Sequence, residues 1–383
     1  MQPSPYTPGE LARAVPGRAV QLGEFEERLS YLVDLHRVVG RIRVDHGPRG
    51  YGKTSLLRQY QLRADDRGAL TVWVTAGEES GLVAQIADAL SRATLTWRSE
   101  ARARIQESLQ ALTVSVGIPG VAHVDATVRG RDARGVPTGA REFEDVVRAA
   151  ATTGDATALV ILVDEIQAAD AAGLRTLAYA WQHLQAEGTD IPAAVFAAGL
   201  PNTPDVVAAA VTFSERIAFR PLNLLSAEAE EIAIIEPAIQ LGITWQPDAL
   251  NEALDIAAGY PYTLQLIADA SWAAAGRPDP GATVTIGHVQ TGRVNMQADL
   301  EALYRGRWAN ATTQEQDLMA AMADLGDGPV KRSDIADRLG VTAESLGVPR
   351  SRLIDKGFIQ AAGRGSLEFT IPGFAVFIRN RGD

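Results

Sequence analysis

Apolar positions in this chain follow two periods, and where the period changes the architecture changes with it. After a Pro/Gly-rich start, Leu22, Phe25, Leu29 and Leu32 recur at helical spacing in GRAVQLGEFEERLSYL, which predicts an amphipathic helix. Short strands are predicted at 41–46, 69–76, 158–165, 192–199 and 215–222. Between them KTSLLRQYQLRADD, SGLVAQIADALSRAT, REFEDVVRAAAT and LRTLAYAWQHLQAEG read as helices, the last ending at Gly188. ALVILVDE is apolar without interruption until its two carboxylates, as expected of a central parallel strand buried on both faces. Strands alternating with helices predict a three-layer α/β domain with a mainly parallel sheet.

Residues 97–140 break that alternation. WRSEARARIQESLQ reads as a charged helix, LTVSVGIPGVAHVDATV as a β-hairpin turning at Pro119-Gly120, and RGRDARGVPTGA as a loop, so the segment reads as an insertion. From Ser226 the strand pattern stops. SAEAEEIAIIEPAIQLG, QPDALNEALDIAAG and YPYTLQLIADASWAAAG predict three helices, with a loop at 276–287. From about Ala309, TQEQDLMAAMADLG, KRSDIADRLG and TAESLGVPRSRLIDKGFI predict three more, followed by IQAAGRGSLEFTI with glycines at its tip. Three short helices and a hairpin are the pattern of a winged helix-turn-helix. The expected domains are a core at 1–225, a helical subdomain at 226–308 and a winged helix at 309–383.

Composition narrows the chemistry. At 383 residues the chain can build two or three cores. A net charge of −11 argues against a protein that coats nucleic acid over its whole surface. The absence of cysteine excludes disulfides, thiolate zinc sites and cysteine nucleophiles, and the five histidines show no metal-ligand spacing. No signal peptide is read at MQPSPYTPGE, and no apolar run reaches the ~18 residues of a membrane span, so the expected location is the cytoplasm.

The basic residues hold a sharper clue. Of 36, only Lys53, Lys331 and Lys356 are lysines, so Lys53 is alone in the first 330 residues. It lies in Gly47-Pro48-Arg49-Gly50-Tyr51-Gly52-Lys53-Thr54, which fits the phosphate-binding pattern G-x-x-x-x-G-K-[ST], with Ser55 next. Glycines there let backbone N–H groups turn toward phosphate oxygens, and the helix that follows adds its positive end. A slender ammonium enters such a loop where a guanidinium would not. Lys53 would reach the β- and γ-phosphates of ATP, and Thr54 would hold Mg²⁺. Asp164 and Glu165 end an apolar strand, where acids face the ligand crevice of an α/β sheet. Asp164 would hold the magnesium through water, and Glu165 would act as general base. Arg216, just before the last strand, is a candidate charge-stabilising arginine supplied to a neighbouring subunit, with Arg220 a lesser one. The strand leading into the loop is unusually polar. Arg43 and Asp45 in it predict a packed neighbour on which both are paired, with the N-terminal arm as the candidate. In the C-terminal segment Arg350, Arg352, Lys356 and Arg364 are candidates for DNA contact, although from residue 310 on nine Lys/Arg face ten Asp/Glu.

The set GRAVQLGEFEERL, GPRGYGKTSLL, LVILVDEIQ, AAVFAAGLPNTP, SERIAFRPL, GYPYTLQLIADASW and LGDGPVKRSDIADRLG resembles bacterial AAA-type and STAND-like ATP-binding proteins related to origin-recognition and archaeal-type ATPases. The resemblance implies an ASCE-type P-loop core, a helical lid and a C-terminal winged helix. It implies that Gly17-Arg18 begins a box near the adenine, and that Pro261 in GYPYTL packs near the nucleotide. The chain departs from the family in three places, one of them the Arg43, Asp45 and His46 of the strand before the loop. Where a polar sensor usually follows the fourth strand, Gly199 stands, with Asn202 the nearest polar residue; and the usual lid arginine is absent. The expectation is a Mg-ATP-dependent, slowly hydrolysing switch acting on double-stranded DNA through the winged helix, with further copies of the chain, in a homo-oligomer, as candidate partners. The alternative is a regulatory or defence signalling ATPase whose winged helix and 111–128 hairpin bind a protein. A nucleotide-binding scaffold without turnover is a third reading.

Overall fold

A computed structural model describes residues 1–77, 81–116, 139–187 and 190–381. The chain forms two compact units. One comprises Arg18–His46 and Leu56–Pro221; the other comprises Met1–Gly17, Gly47–Ser55 and the residues from Leu222 onward.

In chain order the first runs α1 (Ala19–Val33), β1 (Ile42–His46), α2 (beginning at Lys53 and ending at Asp66), β2 (Leu70–Thr75), α3 (Leu82–Ala93), α4 (Ser99–Val116), α5 (Ala140–Thr152), β3 (Leu159–Asp164), α6 (Ala171–Glu187), β4 (Ala193–Gly199), α7 (Thr203–Ala210) and β5 (Ile217–Pro221). All five strands pair in parallel, in the order β2-β3-β4-β1-β5. β4 therefore separates the strand that leads into the loop from the strand that carries Asp164. The side-chain alternation of β-strands sends Ile42, Val44, Val72, Ile161, Val163 and Val195 to one face, where they form a single cluster with α3 to α7. Arg43 and Phe196, register partners, belong to the other face. There Phe196 meets Phe25 of α1 edge-on at 4.8 Å and Tyr60 of α2 at 5.5 Å. The predicted three layers are thus present, and each predicted strand is found within one or two residues.

The polar lead-in is buried on that second face. Arg43 is 2% and Asp45 1% exposed. Arg43 pairs with Glu24 of α1, its Nη2 lies 3.4 Å from Asp45 Oδ1, and the Tyr60 hydroxyl donates to Asp45 Oδ2 at 2.9 Å. The neighbours are the helices α1 and α2 and not the arm that precedes them: Arg43 is paired on Glu24 of α1, and Asp45 meets Arg43 itself and Tyr60 of α2.

One sequence expectation is corrected. Residues 112–116 are the last turn of α4 and not the first strand of a hairpin. Leu112 continues the helical spacing of Ile105 and Leu109, all three buried, whereas Val114 and Val116 are exposed. The period of two came from residues that do not pack. The remainder of the expected hairpin lies outside the described residues.

The second unit has its own cores. α8 (Ala227–Gln240), β6 (Thr244–Trp245), α9 (Pro247–Ala257), α10 (Pro261–Ala274), β7 (Thr283–Val284) and α11 (Ile286–Asn295) surround a cluster centred on Ile234, Ile267 and Trp272. Tyr6 of the N-terminal arm is anchored in it, its hydroxyl donating to Ile234 O at 2.7 Å. β6 and β7 pair in parallel, so the expected loop at 276–287 contains a short strand. Then come α12 (Gln297–Ala309), α13 (Thr313–Leu325), β8 (Val330–Lys331), α14 (Arg332–Leu339), α15 (Gly347–Asp355), β9 (Ile359–Ala361), β10 (Ser366–Phe369) and α16 (Phe374–Arg379). β8, β10 and β9 form an antiparallel sheet in that order. Among the described residues no helix is long and apolar enough to cross a membrane.

Candidate nucleotide site

The loop between β1 and α2 is shaped by its glycines. Gly50 (φ +84°) and Gly52 (φ +80°) occupy left-handed backbone that a side chain would strain. Lys53 is 6% exposed, and its Nζ donates to Gly47 O at 2.9 Å and Pro48 O at 2.8 Å. The single ammonium of this region is thus folded back over the loop that it follows. Thr54 is exposed at the start of α2, while the Ser55 hydroxyl accepts from the Ala12 N–H at 3.1 Å.

The same loop is embraced by residues distant in sequence. The Tyr260 hydroxyl donates to Arg49 O at 3.0 Å, and a Cβ added to Gly50 would fall 2.1 Å from that hydroxyl. Tyr51 is buried and meets Tyr260 edge-on at 5.9 Å. Both belong to the cluster that contains Tyr304, Leu318, Met322, Leu353 and Phe358 of the C-terminal segment. Gly357, between α15 and β9, lies so close that a Cβ there would stand 3.4 Å from Pro48 Cα. Pro261 opens α10 directly after Tyr260. The preceding Gly259 donates its N–H to Glu230 Oε1 at 2.6 Å, and burial raises the Glu230 carboxyl despite that bond. Gly17 is left-handed (φ +76°) against Ala229 and Leu225, and Arg18 is buried just before α1. Sequence reading placed Tyr51 and Pro261 near nucleotide but missed Tyr260 and Gly357. The signal available for them was an aromatic beside Pro261 and a glycine ending a helix, both of which are common.

Asp164 closes β3 and is 6% exposed. Its Oδ1 accepts from the Glu165 N–H at 2.9 Å. Glu165 itself has φ +51° and ψ +38°. Left-handed backbone at a residue other than glycine is uncommon and concentrates at functional sites. Gln167, not singled out by its type, donates Nε2 to Glu165 Oε2 at 2.5 Å and accepts the Leu200 N–H at its Oε1 at 2.9 Å. Asn202 precedes α7 as its cap residue.

Arg216 is exposed at the end of a single turn before β5. Arg220 instead lies 3.5 Å from Glu24 and joins the Arg43 cluster. Among the described residues no group of three or more His, Cys, Asp or Glu could hold a metal. Magnesium at nucleotide sites needs no such cage, since one or two protein oxygens suffice beside phosphates and water.

Of the C-terminal basic candidates, Arg352 is exposed on α15 and Arg364 on the turn between β9 and β10, while Arg350 is half-buried. Lys356 is engaged within the segment. Its Nζ lies 2.6 Å from Glu315 Oε2 and donates to Asn310 O at 2.8 Å. Glu315 is 1% exposed and completes a capping box with Thr312 at the start of α13. Burial pushes the Glu315 carboxyl up, but Lys356 and the Thr312 N–H outweigh it and hold it below its ordinary value. A depressed folded value means stabilisation present above the unfolded value of about 4.3 and lost as pH falls through the folded one. Lys356→Met is therefore expected to cost about 2 kcal/mol at pH 7, since one partner of the pair is partly exposed. The deficit should shrink toward pH 4, as read by urea denaturation.

Residues 14–192 match the family model described as an AAA ATPase domain, and residues 301–378 match a domain of unknown function, DUF8462. No curated protein matches the chain. Among solved structures, the Walker-type ATPase PABY2304 of Pyrococcus abyssi is similar at 14% identity over 96% of this chain and 99% of that one, with a TM-score of 0.56. The Aeropyrum pernix ORC2 protein, solved as ADPNP-ADP complexes, shares 14% identity over 97% and 96% of the two chains, with a TM-score of 0.48. The ORC1 protein of the same organism, solved in complex with DNA, shares 17% over 97% and 94%, with a TM-score of 0.44. The sheet order, the glycine loop and the first of these similarities agree: the chain has the α/β fold of P-loop ATPases, and its AAA ATPase resemblance falls on residues 14–192.

Proposed function

We propose that this chain binds Mg-ATP at Gly47–Ser55, hydrolyses it slowly, and uses its nucleotide state to switch the C-terminal segment on double-stranded DNA. The observation that carries the reading is the seating of the loop. Tyr51 lies in the core of the C-terminal segment, Tyr260 holds Arg49 O, and Gly357 touches Pro48. A loop that changes partners when phosphate binds is then in direct contact with the segment that has to respond.

In this reading the ATPase core spans 1–225, the lid 226–308 and a winged helix 309–383. Lys53 would exchange its two carbonyl acceptors for phosphate oxygens. Thr54 and Asp164 would hold Mg²⁺, which when bound neutralises phosphate charge. Glu165 would take the proton of the attacking water. Gly17, Arg18 and Pro261 would border the base, and Arg216, exposed, would serve a second copy of the chain. Arg352 on α15 and Arg364 at the hairpin tip would meet DNA. Lys356, bonded to Glu315, would support α15 from behind.

Fluorescence anisotropy with duplex DNA across a salt series tests the whole reading. The wild type is expected to bind DNA differently with ATP than without, and Lys53→Ala to abolish the difference. Arg352→Ala should reduce the slope of log K against log salt by about 1. Absence of DNA binding in every nucleotide state at low salt would overturn the DNA reading. It would favour a protein partner, a second reading that the balance of nine basic to ten acidic residues after position 309 supports.

A further inference from the structure

We propose that Gln167 is the positioning residue of Glu165, a proposal that rests on the reading of Glu165 as the hydrolytic base. The two ends of the Gln167 amide cannot be exchanged. A backbone N–H only donates, so the oxygen must face Leu200; an ionised carboxylate only accepts, so the nitrogen must face Glu165. The amide thus spans from the end of β3 to the residue after β4, with 2.5 Å and 2.9 Å contacts at its ends. With the oxygen end fixed by the Leu200 N–H just after β4, the nitrogen end sets the direction in which the carboxylate faces.

The end of β4 explains why this task falls to Gln167. A Cβ at Gly199 would stand 2.2 Å from Thr203 Oγ1 and 2.9 Å from Gln167 Oε1. No polar side chain fits at position 199, and the Gln167 amide already occupies the place one would take. The left-handed turn at Glu165 leads directly into the short 3-10 turn Ile166–Ala168 that carries Gln167. The strained backbone and the amide grip therefore act on the same carboxylate.

Steady-state ATP hydrolysis by Gln167→Leu and Gln167→Glu, each also made with Glu165→Gln, tests the proposal. Gln167→Leu is expected to lower kcat about 10- to 100-fold with KM for ATP within about threefold, the signature of a misplaced group rather than lost binding. Gln167→Glu keeps an oxygen for the Leu200 N–H but turns a like charge toward Glu165. It should fold normally and lose kcat as far, whereas a mere staple between β3 and β4 would leave it at wild-type turnover. In the Glu165→Gln background neither change should lower kcat further. Wild-type turnover in Gln167→Glu, or equal losses in both backgrounds, would overturn the proposal. Should Gln167→Leu fail to fold, Gln167→Glu decides. Full turnover in Glu165→Gln alone would sink the assignment of the base, and this proposal with it.

Discussion

Glu165→Gln is expected to slow ATP hydrolysis by about 10²- to 10⁴-fold while leaving ATP affinity within about threefold. The substitution is nearly isosteric, so the left-handed backbone at 165 and its bond to Asp164 are kept. The Gln167 amide still finds an oxygen to grip. What disappears is the ability to accept a proton from water, which enters the transition state and not the ground state. The loss should therefore fall on kcat. Phosphate release in single turnover and calorimetric ATP binding, measured on the same preparation, separate the two. Undiminished phosphate release would take Glu165 out of hydrolysis, and lost binding would mark it as a structural group.

The second large effect is on stability. Arg43→Met is expected to cost about 3–5 kcal/mol at pH 8, because it strands the buried Asp45 carboxylate. Burial alone would lower the Arg43 pKa, but Asp45, Tyr60 and Glu24 hold it up, so the guanidinium stays charged. Asp45 is raised by its burial, with Arg43 and the Tyr60 hydroxyl opposing. Removing Arg43 removes the larger of those opposing influences and raises the carboxyl further. A raised folded pKa leaves stability intact below the unfolded value of about 3.9 and erodes it as pH climbs through the folded one. The deficit of the variant should accordingly widen from pH 5 to pH 8 in urea denaturation. Asp45→Asn in the same chain should recover part of it. A variant as stable as wild type at pH 8 would show that α1 does not hold the pair as described.

Much of the molecule was legible before any coordinates. The apolar runs marked the five strands, and the lone lysine in a glycine-rich loop pointed to phosphate. The carboxylates Asp164 and Glu165 were found where an uninterrupted apolar strand ended. These features are local: period, turn residues and caps act within a few residues of one another. The same locality misled at 112–116, where Val114 and Val116 imitate a strand but are exposed on a helix. It also hid α11, whose buried residues are only Val289 and Gly292 and make no apolar stripe.

Lys53, Asp164 and Glu165, and the α/β alternation that sets them at strand ends, were thus determined by the sequence alone. Tertiary structure decided who holds them. Gln167 meets Glu165 and Leu200 because β3 and β4 are parallel neighbours, and no spacing in the chain announces that order. Arg43 and Asp45 are paired because α1 and α2 lay Glu24 and Tyr60 over their face of the sheet. Tyr51 and Tyr260 meet because the loop belongs to the same compact unit as the helices from α8 onward. Burial and hydrogen bonding reward such contacts only after the chain has closed long loops, so their partners are specified by packing and not by proximity along the sequence.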